Sequence, residues 1–107
     1  MKDDKTPDAA AAVAAAAVNP KEQHAYWRDN YVKQAYAELG RPYSEYAPAY
    51  QYGWESRGRL TGRSFDQSEG ELSRGWNKAK GNSLLSWDKA KPATKDAWDR
   101  IAESDGR

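Results

Sequence analysis

The stretch WNKAKGNSLLSWDKAKPATKDAWDRI, residues 76–101, decides the fold of this chain. It repeats a tryptophan every eleven residues, and each tryptophan is followed by Asn or Asp. The interval continues towards the N-terminus, so that six aromatic residues share one register: Tyr43, Trp54, Phe65, Trp76, Trp87 and Trp98. Eleven residues make three turns of α-helix, which keeps such rings on nearly one face of any helix that they share. The register therefore predicts helices whose aromatic rings anchor a core.

The composition makes aromatic rings the main core material. A chain of 107 residues is long enough for one domain with one modest core. Only 38% of the residues are hydrophobic, but five Trp, seven Tyr and one Phe are among them. Each large ring buries roughly 150 to 250 Å² when it is packed. We therefore expect a single aromatic-rich domain.

Glycine and proline residues interrupt the register. Gly58, Gly62, Gly81 and Pro92 exclude one continuous coiled helix across 54–98. The predicted fold class is therefore all-α, a single small domain of about four short helices over 20–103, packed through aromatic residues. The Ala-rich segment 1–19 is predicted to be a flexible tail, because short alanine helices are marginal in water.

Caps and aromatic stripes predict the first two helices. Asn19 suits an N-cap and Pro20 suits the first helical position, so the first helix is predicted over 20–39. One stripe runs along it: Trp27, Tyr31, Ala35 and Leu39. The turn residues at 40–42 end it. Helical spacing then predicts a second helix over 46–59, with Pro48 acceptable only in its first turn.

Two further helices follow. Ser64 and Gln67 have the spacing of a capping box, which predicts that a third helix begins at position 64. Residues 81–83 are expected to end the third helix and to cap a fourth. The buried face of this fourth helix is predicted to include Leu84, and Pro92 is predicted to kink or split the helix. Eight residues are predicted to form the structural core: Trp27, Tyr31, Trp54, Phe65, Leu72, Trp76, Trp87 and Trp98.

Several short motifs together resemble a family of small, uncharacterised bacterial proteins. The matching segments are YWRDNY at 26–31, RPY at 41–43, YAPAYQYG at 46–53, GRSF at 62–65, LSRGW at 72–76, GNSLLSW at 81–87 and DAWDR at 96–100. The family pattern reads YWRxNY, YxPAYxYG, GRxF and SxLxWxxAxxAxxDAW, and the resemblance covers about 24–100. It implies an accessory role in stress physiology and no assigned catalytic residues. The AK-rich segment is also similar to the eleven-residue repeats of late-embryogenesis-abundant desiccation proteins.

The sequence offers little for catalysis or for binding a metal ion. His24 is the only histidine, and a lone histidine beside Trp27 and Arg28 is more often a packing or surface residue than a catalytic base. The chain contains no cysteine, which excludes disulfides and thiolate metal sites and fits a reducing cytoplasm. We therefore expect no enzyme activity, no metal and no cofactor.

Interaction with a macromolecule is the class that remains. Tyr26, Tyr36 and Tyr52 fall off the predicted stripes and are the candidates for an exposed patch that binds another protein or a second copy of the chain, as in a homodimer. An Arg and Tyr block over 41–63 includes Arg57, Arg59 and Arg63. Guanidinium groups bind phosphates and exposed rings stack on bases, so this block is the candidate site for a nucleic acid.

The sequence therefore favours a non-catalytic, stress-associated interaction or scaffold protein of the cytoplasm. Two alternatives stay open: a weak nucleic-acid binder that uses the Arg and Tyr block, and a partly disordered desiccation-type protectant. The net charge of +1 gives no general attraction to nucleic acid or to an anionic membrane. No stretch approaches the about 20 apolar residues of a membrane-spanning helix, and no membrane partner is expected.

Overall fold

The computed structural model of the chain describes residues 19–105, and the side chains of 19–103. Within this span the protein is all-α and has no strand, which confirms the predicted fold class of four short helices packed through aromatic rings. The helices are α1 (Pro20–Asn30), α2 (Tyr43–Arg59), α3 (Phe65–Ala79) and α4 (Trp87–Asp105), and a short 3-10 helix (Tyr31–Lys33) follows α1. The predicted flexible tail lies outside the described residues, apart from Asn19.

The last three helices begin at a regular interval. Their first residues are Tyr43, Phe65 and Trp87, so α2, α3 and α4 begin 22 residues apart. Each of these helices therefore carries two rings of the register, one at its first position and a tryptophan eleven positions later. The eleven-residue register of the sequence is thus half of a 22-residue unit of helix and turn. Equivalent positions are buried in all three units: Tyr46, Ser68 and Ala90, and then Tyr50, Leu72 and Thr94.

The aromatic residues form the interior. The second tryptophan of each unit is almost inaccessible to solvent, at 1% for Trp54, 2% for Trp76 and 3% for Trp98. Trp27 of α1 stacks on Tyr50 of α2 with ring centroids 4.3 Å apart. Six of the eight predicted core residues are buried: Trp27, Trp54, Phe65, Leu72, Trp76 and Trp98. The other two, Tyr31 and Trp87, are partly buried and pack against the same clusters.

The most extensive contact between helices joins α2 and α4. Small residues form the seam, with Ala49 and Gly53 on one helix and Ala93 and Ala97 on the other, and the two helices are also joined by a hydrogen bond from Thr94 Oγ1 to the Ala49 carbonyl (3.0 Å). Gly53 lies so close to α4 that a Cβ atom there would stand 2.9 Å from Ala97 Cβ and closer still to the Thr94 carbonyl oxygen. The backbones of the two helices are therefore in close contact at Gly53.

The caps of the first and third helices confirm the sequence pattern. The Asn19 side chain accepts hydrogen bonds from the backbone amides of Lys21 (3.0 Å) and Glu22 (3.3 Å). At the start of α3, Ser64 Oγ accepts from the Gln67 amide (3.0 Å) while the Gln67 side chain accepts from the Ser64 amide (2.9 Å). This reciprocal pair is the predicted capping box.

The predicted extent of the first helix is wrong, because α1 ends at Asn30 and not near position 39. The Asn30 side chain donates to the Tyr26 carbonyl (2.7 Å), and the Gln34 side chain donates to the Asn30 carbonyl (3.1 Å). In a continuing helix the Gln34 amide would bond the Asn30 carbonyl, but here that amide donates to the Tyr31 carbonyl (3.1 Å) and the Gln34 side chain bonds the Asn30 carbonyl instead. Residues 34–42 then form a loop, so that Ala35 and Leu39 do not join the aromatic stripe.

The bounds of α2 and α4 also need correction. α2 begins at Tyr43, one turn earlier than predicted, and includes Pro48 in its interior. α4 begins at Trp87, after a loop that leaves Leu84 exposed instead of on the buried face. The expected split at Pro92 does not occur, because α4 continues unbroken to Asp105. Each proline is the sixth residue of its helix and removes one backbone bond early in it, while the following residues are held in the α2–α4 seam.

Replacing Trp76 with alanine tests whether the indole rings hold the fold. Trp76 is buried, and its indole Nε1 donates to the Leu85 carbonyl (2.9 Å). The Trp76→Ala variant is expected to lose about 3 to 5 kcal/mol of unfolding free energy in a denaturant titration. Arg63→Ala, at an exposed surface position, is the control and should change it by less than about 1 kcal/mol. Equal unfolding midpoints for the two variants would contradict the aromatic core.

Two glycines of α2 form a matched pair that tests the seam. An alanine at Gly53 would press against α4, so Gly53→Ala should destabilise the domain by about 1 to 3 kcal/mol or more. Gly58 has no atom within 4 Å of the position that a Cβ would occupy, so Gly58→Ala should stabilise it by about 0.4 to 1 kcal/mol. Thermal or urea unfolding measures both. If Gly53→Ala is as stable as Gly58→Ala, the helices do not approach as described.

Candidate functional site

The three tyrosines predicted to form an exposed patch do not form one. Tyr26 lies at the surface, 36% exposed, and the Arg100 guanidinium lies over its ring at 3.6 Å. Tyr36 and Tyr52 are partly buried, and their exposure was wrongly predicted. The Tyr52 hydroxyl donates to the Leu72 carbonyl (2.7 Å), and Tyr36 is bonded to two other side chains. Both phenols have hydrogen-bond partners inside the protein, so their rings lie partly buried. The periodicity of a single helix does not reveal such partners.

Tyr36 belongs to a hydrogen-bonded chain of three groups. Its hydroxyl donates to Asp96 Oδ2 (2.6 Å) and lies 2.8 Å from the Tyr50 hydroxyl, which therefore donates to it. Burial and the hydrogen bond to Asp96 raise the pKa of Tyr36 far above its ordinary value, and burial also raises the pKa of Tyr50. Asp96 lies on α4 and Tyr50 on α2. The chain therefore ties the 34–42 loop to the α2–α4 pair.

His24 is a packing residue in this structure. Its ring lies edge-on against Trp54 with centroids 4.8 Å apart, and its Nδ1 is 3.0 Å from the Tyr43 hydroxyl. Burial lowers the pKa of His24, and burial raises the pKa of Tyr43 to about 12. Over residues 19–103, no group of three or more His, Asp or Glu side chains is placed to hold a metal ion.

Three of the five rings of the Arg and Tyr block are buried, and Tyr43 and Tyr52 are partly buried. Tyr46, Tyr50 and Trp54 are buried in the core, so stacking on bases would require the domain to open. Arg59 donates to Ser56 Oγ (3.0 Å), and Arg63 pairs with Glu71 (3.3 Å). Arg57 is partly buried near the end of α2. Of these arginines, Arg59 lines the same surface pocket as Tyr52, whereas the buried rings of the block face the core.

A different set of residues forms an exposed apolar surface at one end of the domain. Val32 is 64% exposed, Leu39 105% and Leu84 80%, which are the largest exposures among the large hydrophobic side chains of the described residues. Leu39 and Leu84 line one cleft although 45 positions separate them, and Val32 and Leu39 line the next. We call the set of Val32, Leu39, Pro42 and Leu84 the leucine surface. Clustered exposure of this kind is typical of binding sites.

Hydrogen bonds hold Leu84 in its outward position. The Leu84 amide donates to Glu45 Oε1 (2.6 Å), and Ser83 Oγ donates to the Glu45 backbone carbonyl (2.7 Å). The next residue, Leu85, is only 1% exposed, and its carbonyl accepts from the Trp76 indole. Neighbouring leucines therefore point in opposite directions, one into the core and one into solvent.

The loop that carries Leu39 is braced in the same way. The Glu38 amide donates to the Tyr46 hydroxyl (3.0 Å), and the Arg41 amide donates to the Glu38 carbonyl (3.1 Å). Gly40 has a φ of +85°, a left-handed conformation that favours glycine. Glu38 also pairs with Arg41 and Lys89, each at 2.7 Å. Hydrogen bonds from Lys89 and then Arg41 lower the pKa of the Glu38 carboxyl.

The braced loop lines two open depressions of the surface. Residues 38–42 contribute to both clefts, which have volumes of about 330 Å³ and 360 Å³. Leu84 and Glu45 line the first cleft, and Tyr31 and Val32 line the second. Leu39 is shared by the two.

Sequence reasoning missed the leucine surface, although it had a signal. Leu39 stands directly before the turn residues 40–42, and Leu84 directly after those at 81–83. An apolar residue beside a turn can lie outside the helix whose periodicity it continues. Assigning both leucines to helical stripes placed them in the core.

Comparisons with known proteins add no relative. No protein-family model matches the chain, and neither the curated proteins nor the solved structures contain a significant match. None of the helices between residues 19 and 105 combines the length and the apolar character needed to traverse a lipid bilayer.

The buried phenols predict a loss of stability in alkali. Tyr36, Tyr43 and Tyr50 have a pKa above the ordinary value of about 10 that they regain on unfolding. Their contribution to the unfolding free energy is therefore complete below pH 10. It is lost as the pH rises towards the pKa of each phenol in the folded state, which is about 12 for Tyr43.

The Tyr36→Phe variant tests how much of this alkaline loss of stability comes from Tyr36. The substitution removes one of the phenols that the folded state keeps protonated. Above pH 10 the unfolding free energy of the variant should therefore fall less steeply with pH than that of the natural chain, and the two slopes should differ by about 1.4 kcal/mol per pH unit. Urea unfolding between pH 9 and pH 12 measures both slopes. Parallel curves for the variant and the natural chain would contradict the buried position of Tyr36.

Proposed function

We propose that this protein is a non-catalytic interaction or scaffold protein and that the leucine surface is its contact site. The observation that carries the proposal is that Leu39 and Leu84 are fully or nearly fully exposed while hydrogen bonds fix the loops that present them. Burying each leucine against a partner is worth about 1.5 to 3 kcal/mol. Because the loops are already ordered, little of that energy is spent on fixing them.

The stress association and the cytoplasmic location are part of the same proposal. The stress association rests on the resemblance of motifs such as YWRDNY and DAWDR to the family of small bacterial proteins, to which we propose that the chain belongs. The absence of cysteine supports a reducing compartment.

The proposal is tested with a double variant that makes the leucine surface polar. Leu39→Ser with Leu84→Ser should reduce binding of partner proteins by at least about tenfold, because each leucine contributes about 1.4 kcal/mol or more. Both side chains point into solvent, so the unfolding free energy should stay within about 0.5 kcal/mol of the natural chain. The measurement is quantitative affinity capture from stressed cells, with the full chain as bait.

Two matched controls sharpen the capture experiment. Leu39→Met with Leu84→Met keeps the surface apolar and should retain the partners. Arg74→Ser with Lys78→Ser changes exposed residues of α3 that line neither depression of the leucine surface, and should also retain the partners. If the serine variant captures the same proteins in the same amounts, the leucine surface is not the contact site. If nuclease treatment removes the captured material, the nucleic-acid alternative replaces this proposal.

A further inference from the structure

We infer that Tyr36 is a redox-active residue, which gives up one electron to a small one-electron oxidant and its hydroxyl proton to Asp96. The contact that carries the inference is the hydrogen bond of 2.6 Å from the Tyr36 hydroxyl to Asp96 Oδ2. A phenol that loses an electron becomes a strong acid, so its oxidation is easiest where a base already holds the proton. This step uses no residue of the leucine surface and is independent of the proposed function.

The electrons, protons and charges of the step balance. Tyr36 loses one electron and one proton and becomes a neutral phenoxyl radical, while Asp96 gains that proton and becomes a neutral carboxylic acid. The oxidant, such as a peroxyl radical, gains the electron and becomes a peroxide anion. No atom enters or leaves the protein, and no charge remains on Tyr36 or Asp96.

Burial favours this change over ionisation of the phenol. Tyr36 and Asp96 are both partly buried, so an uncompensated charge at this place is costly. Ionisation would add a second negative charge beside the carboxylate, and burial and the hydrogen bond to Asp96 raise the pKa of Tyr36 far above its ordinary value. Oxidation with transfer of the proton instead removes the charge of the carboxylate. The surroundings that hinder ionisation therefore favour the radical.

A line of touching rings connects Tyr36 with the surface. Tyr26, which is 36% exposed, lies edge-on against Trp27 with ring centroids 4.8 Å apart, and Trp27 stacks on Tyr50 at 4.3 Å. The Tyr50 hydroxyl lies 2.8 Å from the Tyr36 hydroxyl. Among the described residues, the buried Trp27 Nε1 has no hydrogen-bond partner to take a proton, so an oxidised indole would stay charged in the core. An electron taken from this line at the surface is therefore replaced from Tyr36.

Two other phenols have less suitable proton acceptors. Tyr31 donates to a backbone carbonyl, which is a very weak base. Tyr43 lies 3.0 Å from His24 Nδ1, but proton transfer there would create a positive charge near Arg28, whose guanidinium lies over the Tyr43 ring at 5.6 Å. Burial also lowers the pKa of His24, which makes it a weaker base. Of these three phenols, Tyr36 is the one whose oxidation removes a charge.

Oxidation of the full chain by a photogenerated ruthenium(III) tris-bipyridine complex tests this inference. Electron paramagnetic resonance of frozen samples should show a phenoxyl radical, and the Tyr36→Phe variant should lose that signal. Tyr43→Phe is the matched control and should retain it, and circular dichroism checks that both variants are folded. The inference fails if the natural chain gives only indolyl radicals, if Tyr36→Phe keeps the full phenoxyl signal, or if Tyr43→Phe loses it.

The Asp96→Asn variant tests the proton acceptor. Asparagine keeps the size of the side chain but cannot take the proton, so phenoxyl formation should slow and should come to depend on the concentration of buffer base. In the natural chain the rate should not depend on the buffer, because the proton moves along an internal hydrogen bond. A role of Asp96 in packing alone would not change this dependence. Equal rates and equal buffer independence in the two proteins would overturn Asp96 as the acceptor.

A fluorotyrosine placed at position 36 tests the assignment in a chain that keeps every natural contact of the phenol. The fluorine nucleus should add a hyperfine splitting to the resonance signal of the radical. An unchanged spectrum would assign the radical to another tyrosine and contradict the inference, whether or not the Tyr36→Phe and Asp96→Asn variants fold.

Discussion

The close approach of α2 and α4 is the contact on which the rest of the structure depends. Gly53 lies against the backbone of α4 because no larger residue fits there, and Ala49 and Ala97 extend the seam of small residues. Large rings do not fit between helices this close, so they pack around the seam. The larger cluster includes Trp27, Trp54 and Trp76, and the smaller joins Phe65 to Trp98. The small residues thus determine where the large ones gather.

The same seam explains why the two prolines are tolerated. Pro48 and Pro92 each stand six residues into a helix, in equivalent positions of two 22-residue units. Each costs a backbone hydrogen bond early in its helix, and in an isolated peptide that loss would favour fraying or a break. Here the residues that follow are buried between the paired helices, at Ala49 and Tyr50 in α2 and at Ala93 and Thr94 in α4. Tertiary packing therefore offsets a local defect that sequence rules read as a helix end.

Sequence patterns predicted those features that depend on neighbouring residues or on the size of a side chain. The capping box of Ser64 and Gln67 depends only on residues three positions apart. The burial of the indole rings was predictable for a different reason: they are large and apolar, and the chain has few aliphatic residues to form a core without them. The end of α1 depended instead on competition between backbone and side chains at Asn30 and Gln34, followed by long-range bonds from Tyr36 to α4. Periodicity contains no information about such partners. The candidate site was missed for the same reason, because Leu39 and Leu84 meet only after two loops are folded.

An aromatic core also accounts for how the leucine surface is held. Of the seven Val, Leu and Ile residues in 19–103, three are exposed, because the rings have taken over the role of filling the interior. Those rings carry polar groups that aliphatic side chains lack. The Tyr46 hydroxyl accepts from the Glu38 amide beside Leu39, and the Trp76 indole donates to the Leu85 carbonyl beside Leu84. Two buried residues of the core thus reach outward and fix both loops of the surface. A core of leucine and isoleucine would supply the same burial but neither hydrogen bond, so the choice of rings for the interior and the rigid display of leucines outside are physically linked.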